Sequence, residues 1–537
     1  MAVEILQALG VVVPLLAIAA FALPLISLKV KKKVFYDIYT LVFTIIALIA
    51  SLEIFRYVYN TGKPALYPFG GWPPVVGIVY EVDAFSAILG VLTTSVMLLI
   101  VIYSIWYTKF MDEFTWYYTL LLGMEAGLLG CLYTGDAFNL FVMIEVLAIS
   151  AYGLVAYYRS KPQAIEAAIK YAIIGAVATT LYFLSLVFIY AAYGSLNMAD
   201  IAFKAMFRYS MISGSIYGNI ISASATALAL ALWTFTFKAA LFPNHFWLPD
   251  AHPEAPTPVS AALSGLVVNI GVYATARFMY TMFGAKSVLA ETGFREAVFI
   301  ALLILGILSG LVGALLMMVQ NDIKRLLAYS TISHIGLLFM AAAIGLAGTL
   351  ESVRLGLVAL VYHTINHSVG KALLFLAAGV LIHAAGTRDL DKMGGVGRFY
   401  PLASLSLILG FFQLMGFPGF GGFFSKLLLY QAYLSAGMLV PAIMVVVISA
   451  ISILGYIKAI YAIVFMPPKP GLKKIKGLDT VSIITLFMGF ACIVLGITAP
   501  YFIPVLTNVV NQSLMPQGVI NYINTFLQYL RSLLPRT

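Results

Sequence analysis

At 222–250 the chain reads SASATALALALWTFTFKAALFPNHFWLPD. An apolar run of membrane length carries Lys238 near its end, and Pro243 interrupts it about one turn later. A spanning helix needs about 20 mostly apolar residues. An ionised side chain at mid-bilayer costs roughly 2.5–3.5 kcal/mol on insertion scales. Backbone broken at membrane depth is tolerated where it lines a polar cavity. The stretch therefore predicts a broken transmembrane helix that holds a cation inside a polytopic bundle. A second stretch repeats the combination: in GFPGFGGFFSK (416–426), Pro418 and a run of glycines precede Lys426.

Composition agrees. The 537 residues are 62% hydrophobic and 10% charged, against roughly 25% charged in soluble domains. Mean hydropathy is +1.01. So few polar side chains cannot cover a soluble surface, and so apolar a chain does not stay disordered. Nucleic-acid binding is excluded as well, because the net charge of +10 has no basic face to carry it. Apolar stretches predict helices near 5–28, 34–59, 79–106, 115–134, 138–158, 165–191, 222–242, 258–282, 297–319, 326–346, 352–382, 401–435, 440–466 and 480–506. These are numbered helices 1 to 14 below. The alternating ten-residue pattern of a barrel is absent. Residues 192–221 form the longest polar interval, and 518–535 reads as an amphipathic interfacial helix.

Loop Lys and Arg set the orientation. With Lys29 to Lys33 placed in the cytoplasm, inner loops hold roughly twice as many cations as outer ones, counting Lys473, Lys474 and Lys476 inside and Arg208 and Arg536 outside. That bias predicts both termini outside a plasma membrane. The chain divides into helices 1–3 (1–110), a first repeat (111–285), a second repeat (286–468) and a last helix with its tail (469–537).

Once loop charges are set aside, Glu125, Glu145, Lys238, Arg277, Lys371, Lys426 and Lys458 remain within apolar helices, with His334, His363 and His367. Such groups either snorkel or pair statically, or they form a functional path. Arg277 and Lys458 suit end-of-helix anchors, and Glu166 with Lys170 suits an i,i+4 pair. The rest suit a proton path. A buried lysine yields its proton more readily, a nearby carboxylate restores it, and histidine titrates near neutrality. His363, His367 and Lys371 recur every four residues, so they stripe one helix face. The two breaks fall in helices 7 and 12, five apart. An odd shift reverses orientation, which predicts inverted repeats of helices 4–8 and 9–13. Glu145 on helix 5 then has His334 on helix 10 as its counterpart. His245 and His252, with Asp250 and Glu254, lie in a proline-rich stretch that reads as a rigid loop rather than a metal site. Cys131 and Cys492 fall inside helices with no metal-ligand or disulfide spacing, and neither a metal nor a cofactor is expected.

The stretches TGDAFNLFVMIEVLAISAYGLV (134–155), FKAALFPNHFWLPDAHPEAPTPVSAALSG (237–265), NDIKRLLAYSTISHIG (321–336) and HTINHSVGKALLF (363–375) resemble the proton-conducting antiporter family. That family includes antiporter-like subunits of respiratory complex I, large Mrp sodium/proton antiporter subunits, and matching subunits of membrane-bound hydrogenases and sulfur-reducing complexes. The resemblance covers roughly residues 75–465 and looks closest to the D-type subunits of Mrp antiporters and their hydrogenase-type relatives. It implies fourteen helices with two inverted five-helix repeats. It also implies a Glu145–Lys238 pair and a proton relay continuing through His334, His363, His367, Lys371 and Lys426. One position departs from the pattern: where relatives carry a helix-8 lysine, GLVVNIGVY places Asn269, which cannot titrate. Glu125 is an additional candidate relay or entry group.

Three functions follow as expectations. The first is an ion-translocating (H⁺ or Na⁺) subunit of a respiratory redox complex, not catalytic alone. It would assemble with other antiporter-like and small Mrp-like membrane subunits, and with peripheral iron–sulfur subunits. The second is the D-type subunit of a dedicated Mrp antiporter. The third is a structural subunit without conduction, which the retained buried charges speak against.

Overall fold

The computed structural model describes residues 2–207, 219–470, 472 and 477–533, with side chains described from Leu9 onward. Arg208, Lys473, Lys474, Lys476 and Arg536 of the charge count lie outside the described residues.

The protein is a helical membrane bundle. Twelve described helices are long and apolar enough to cross a bilayer. Two more segments complete the expected fourteen. Helix 4, Phe114–Tyr133, has 20 residues, but Thr, Trp and two Tyr follow Phe114 in its first turns and Glu125 lies within it, which holds down its hydropathy. Helix 12 is split into Pro401–Met415 and Gly421–Ser435.

The first repeat comprises helix 4, helix 5 (Ala137–Val155), helix 6 (Pro162–Tyr193), helix 7 (Ile220–Lys238) and helix 8 (Thr257–Met282). The second comprises helix 9 (Phe294–Val319), helix 10 (Ile323–Ala342), helix 11 (Leu350–Ala385), the split helix 12 and helix 13 (Leu439–Ile460). In each repeat, neighbours pack in chain order. Helices 8 and 10 lie deepest: 100% and 94% of their apolar windows are buried, against 28% for helix 2 (Lys33–Thr61) at the edge. Small residues let the central helices approach closely, as membrane packing requires. A Cβ on Gly265 of helix 8 would sit 2.9 Å from the Ser368 carbonyl on helix 11.

Three features differ from the sequence expectation. Helix 3 begins at Ala84 rather than 79, because Val79–Val82 pairs antiparallel with Ala65–Pro68 in a hairpin. The polar interval 192–221 contains a helix, Met198–Phe207, whose Ala202 packs on Val519 and Ile523 of the C-terminal helix Pro516–Leu533. Helix 14 (Leu478–Ile497) stops before 506, and Ala499–Ser513 forms a separate helix with Pro500 in its first turn.

Candidate functional site

The two breaks have different local causes. Helix 7 ends on Lys238. Ala240 then adopts φ 56°, a left-handed conformation unusual for a residue with a Cβ, and a cis Phe242–Pro243 bond follows. The carbonyls freed at the helix end find donors in the loop: the Trp247 indole N–H donates to Phe237 O (3.0 Å), and Leu241 N–H donates to Thr236 O (2.9 Å). Trp247 is fixed by stacking on Tyr171, with ring centroids 3.9 Å apart and planes 2° apart. Lys238, 5% exposed, has among the described residues one long hydrogen bond, 3.5 Å to the Tyr152 hydroxyl, and the ring faces of Tyr152 at 5.7 Å and Phe237 at 6.0 Å. Glu145 on helix 5 leaves one carboxylate oxygen buried without a hydrogen-bond partner. Among the described residues, no ion pair of 4 Å or less joins Glu145 to Lys238.

The second break is built the other way round. Helix 12 stops at Met415, capped by Gly416 in the left-handed region (φ 80°), where glycine carries no Cβ penalty. The chain restarts at Gly421, and Lys426 lies in the half-helix after the break. Its ammonium reaches back to donate to the carbonyls of Leu414 (2.8 Å) and Met415 (3.2 Å). Those are the orphan carbonyls at the negative end of the first half-helix. Gln413 braces the break by donating to Asn366 Oδ1 on helix 11 (2.7 Å).

Between the breaks lies a hydrogen-bonded file. Lys371 on helix 11 is fully buried and donates to Ser330 Oγ (2.5 Å) and Leu327 O (3.1 Å) on helix 10. Ser330 Oγ is hydrogen-bonded to the Tyr456 hydroxyl of helix 13. That hydroxyl meets His334 Nε2 at 3.1 Å, and His334 Nδ1 meets His363 Nε2 at 3.0 Å. His363 Nδ1 then contacts Ser425 Oγ at 2.9 Å, next in sequence to Lys426. Every link is a group able both to give and to take a proton. The structure thus brings His334, His363 and Lys371 into one file and sets Lys426 at its end. His367 shares the cluster, its ring 5.7 Å from that of His334, with both ring nitrogens buried and unpartnered. Ser330, Ser425 and Tyr456 were missed by sequence reading. A buried hydroxyl costs little in hydropathy and stands out only when its neighbours are known.

Asn269 marks the border between the repeats. It donates to Gly265 O (2.7 Å) and Ser368 Oγ (2.9 Å), and its carbonyl oxygen is unpartnered. A small cavity opens beside it, lined by Thr93, Thr364 and Ser368. A second cavity adjoins Lys238, and Ile270 lines both. Glu125 lies elsewhere, facing Thr44 of helix 2.

The remaining candidates are structural. Arg277 is no end-of-helix anchor: it is buried and clamps Asp83 through two bonds of 2.5 and 2.6 Å. Lys458 is one, donating to the terminal carbonyls of Met318 and Gln320 behind helix 9. Lys170 pairs with Glu166 at 2.7 Å. His252 is buried against Phe375, ring centroids 5.1 Å apart. Cys131 and Cys492 are buried within their helices.

Residues 134–452 match the family described as NADH:quinone oxidoreductase/Mrp antiporter, TM. The chain belongs to this family. It is 30% identical over 397 residues to the D-type subunit of the Na(+)/H(+) antiporter from Alkalihalophilus pseudofirmus, covering 74% of this chain and 75% of that one. It is 31% identical over 418 residues to the N-type subunit of the NADH-quinone oxidoreductase from Desulforudis audaxviator, covering 77% and 78%. Among solved structures, a chain of the membrane-bound sulfane sulfur reductase, an archaeal respiratory membrane complex, superposes with a TM-score of 0.85 at 29% identity. The match covers 97% of this chain and all of that one. The protein is an antiporter-like, multi-pass membrane subunit of the kind found in Mrp and complex I-like assemblies.

Proposed function

We propose that the chain moves ions, protons or sodium, as a membrane subunit of a respiratory redox complex in the plasma membrane. Its partners in this reading are other antiporter-like and small Mrp-like membrane subunits, and peripheral subunits carrying iron–sulfur clusters. The carrying observation is the unbroken file Lys371–Ser330–Tyr456–His334–His363–Ser425, which ends beside Lys426. Static packing needs no such run of proton-exchanging groups. Glu145 and Lys238 act at the other end. A change in a neighbouring subunit draws Glu145 toward or away from Lys238, and the lysine's hold on its proton changes with that distance. Asn269 and Ser368 bridge the halves through water in the adjoining cavity. Termini outside and the Lys29–Lys33 loop in the cytoplasm complete this arrangement.

The test is the purified complex in proteoliposomes, with ion transport per electron measured for Lys238→Ala and Glu145→Gln. Loss of transport with electron flow retained is expected, and unchanged transport overturns the reading. The 30% identity to a D-type antiporter chain favours a second reading, a dedicated Mrp antiporter without redox partners. The proteins that co-purify discriminate: iron–sulfur proteins support the first, small membrane proteins alone the second.

A further inference from the structure

Helix 2 is mostly exposed along the bundle edge, yet its buried stripe is polar. The buried positions are Tyr36, Asp37, Thr40, Thr44, Ala47, Ser51, Ile54 and Val58, spaced by threes and fours from residue 37 on. Such a stripe is the seam that faces a packed neighbour, and in lipid it is ordinarily filled by small or apolar residues. Helix 2 packs chiefly on helices 1 and 3, but it is helix 4, running in the same direction, whose side chains answer the polar positions in order. Tyr118 donates to Asp37 Oδ1 at 2.6 Å. Thr44 donates to Glu125 Oε2 at 3.0 Å. Tyr133 donates to Ser51 Oγ at 2.9 Å. Glu125, Thr40, Thr44 and Ser51 are all fully buried.

Two features set this seam apart from ordinary interhelical stitching. First, Glu125 is left half-satisfied: its Oε1 has no partner, and neither has the Thr40 hydroxyl one turn below Thr44. Serine or glutamine at 125 would stitch to Thr44 without burying an acid. Second, the seam opens at the membrane surface. Lys33, at the first turn of helix 2, holds Asp37 at 2.6 Å and donates to Ile105 O at 3.0 Å, and it is partly exposed. Thr44 stands about 16 Å further along helix 2, at 1.5 Å per residue, which is near mid-bilayer. Among the described residues, the seam shares no hydrogen bond with the Lys371–Lys426 file.

We infer that helices 2 and 4 form a second proton path, with Asp37 and Tyr118 at its mouth, the Thr40 and Thr44 hydroxyls as its relay and Glu125 as its mid-membrane acceptor. The step is a proton hop. The Thr44 hydroxyl gives its proton to the Glu125 carboxylate and takes one from the Asp37 side, through Thr40 and water. Glu125 then holds a proton at the edge of the bundle, on the seam of helix 2, whose outer face is open to a neighbouring subunit. The inference rests on the proposal that the chain conducts, so the two must be tested side by side.

The experiment uses the assembled complex in proteoliposomes, with Thr40→Val/Thr44→Val, Glu125→Gln and Tyr118→Phe beside Lys238→Ala. Valine keeps the shape of threonine and removes only the hydroxyl. The expected result is a partial loss of transport, at most about half, in the double threonine variant and in Glu125→Gln, because the central file still conducts, with a smaller loss in Tyr118→Phe and full co-purification of the complex. Unchanged transport in these variants while Lys238→Ala is inactive overturns the helix 2–helix 4 path and leaves the central file standing. Unchanged transport in Lys238→Ala as well overturns the conduction reading itself. An infrared measurement on the same complexes reads the relay independently of transport. The wild-type complex should show a protonated-carboxyl band that Glu125→Gln removes and that exchanges with deuterium more slowly in the threonine variant. A band that exchanges equally fast without the two hydroxyls overturns the relay.

Discussion

The two repeats use the same parts in opposite ways. Each breaks a membrane helix beside a lysine. In the first, Lys238 precedes the break, and a tryptophan from the loop, not the lysine, donates to the Phe237 carbonyl at the helix end. In the second, Lys426 follows the break and itself binds the freed carbonyls of Leu414 and Met415. Lys238 is therefore a cation with almost no polar partner, and Lys426 is a cation serving as a helix cap. In the proposed reading, the difference suits the halves to different tasks. A lysine without a firm partner responds strongly to any movement of Glu145, because little else holds its charge in place. A lysine that caps a helix must release two carbonyls before its ammonium moves, so its state is tied to the geometry of helix 12. The first half suits reception of a signal, and the second suits gating of an exit.

The comparison breaks most readily on charge that cannot be discharged. Arginine stays protonated under all working conditions. Lys238→Arg should cut ion transport by about a hundredfold, with assembly of the complex retained. Transport close to wild type in proteoliposomes would mean that Lys238 only supplies a field. Tyr456→Phe should come next. It removes the one hydroxyl that joins Ser330 to His334, and transport should fall about tenfold, with stability lowered by about 1 kcal/mol.

Thermal stability separates the two lysines by sign. Lys426→Met leaves two carbonyls of a broken helix unsatisfied and should cost about 1–3 kcal/mol. Lys238→Met removes a buried charge whose one hydrogen bond among the described residues is 3.5 Å long, and it should be neutral or stabilising. Melting curves of the purified complex would show it. Equal losses would mean that Lys238 has a partner as firm as that of Lys426.

The architecture was legible because the bilayer writes it in hydropathy. Fourteen segments, two broken helices and the buried charges all follow from the cost of polar atoms in lipid. Helix 12 shows the limit: the sequence places a break at Pro418 and its glycines, and only the structure shows that the first half ends at Met415 with Gly416 as its cap. The titratable members of the file were visible as charges and imidazoles out of place. Its hydroxyl links were not, since serine and tyrosine are ordinary in membrane helices. The Glu145–Lys238 pairing, implied by resemblance, is an approach rather than a contact, which a sequence cannot distinguish. Arg277 read as an anchor because its partner Asp83 lies far away in the chain, just before helix 3.

The smallest effect expected lies at the border between the halves, where Asn269 ties helix 8 to Ser368 on helix 11. Asn269→Ala removes that bond and enlarges a cavity already lined by Thr93, Thr364 and Ser368. If the asparagine holds water between the halves, the enlarged cavity still holds water, and transport should fall only about twofold to threefold. Ile270 lines the cavities on both sides of this border, so Ile270→Ala should open one into the other and offset the loss in the double variant. Transport rates of the two single variants and the double variant, compared as a cycle, measure that coupling. Additive losses would mean that the two cavities do not communicate and that the halves work as separate units.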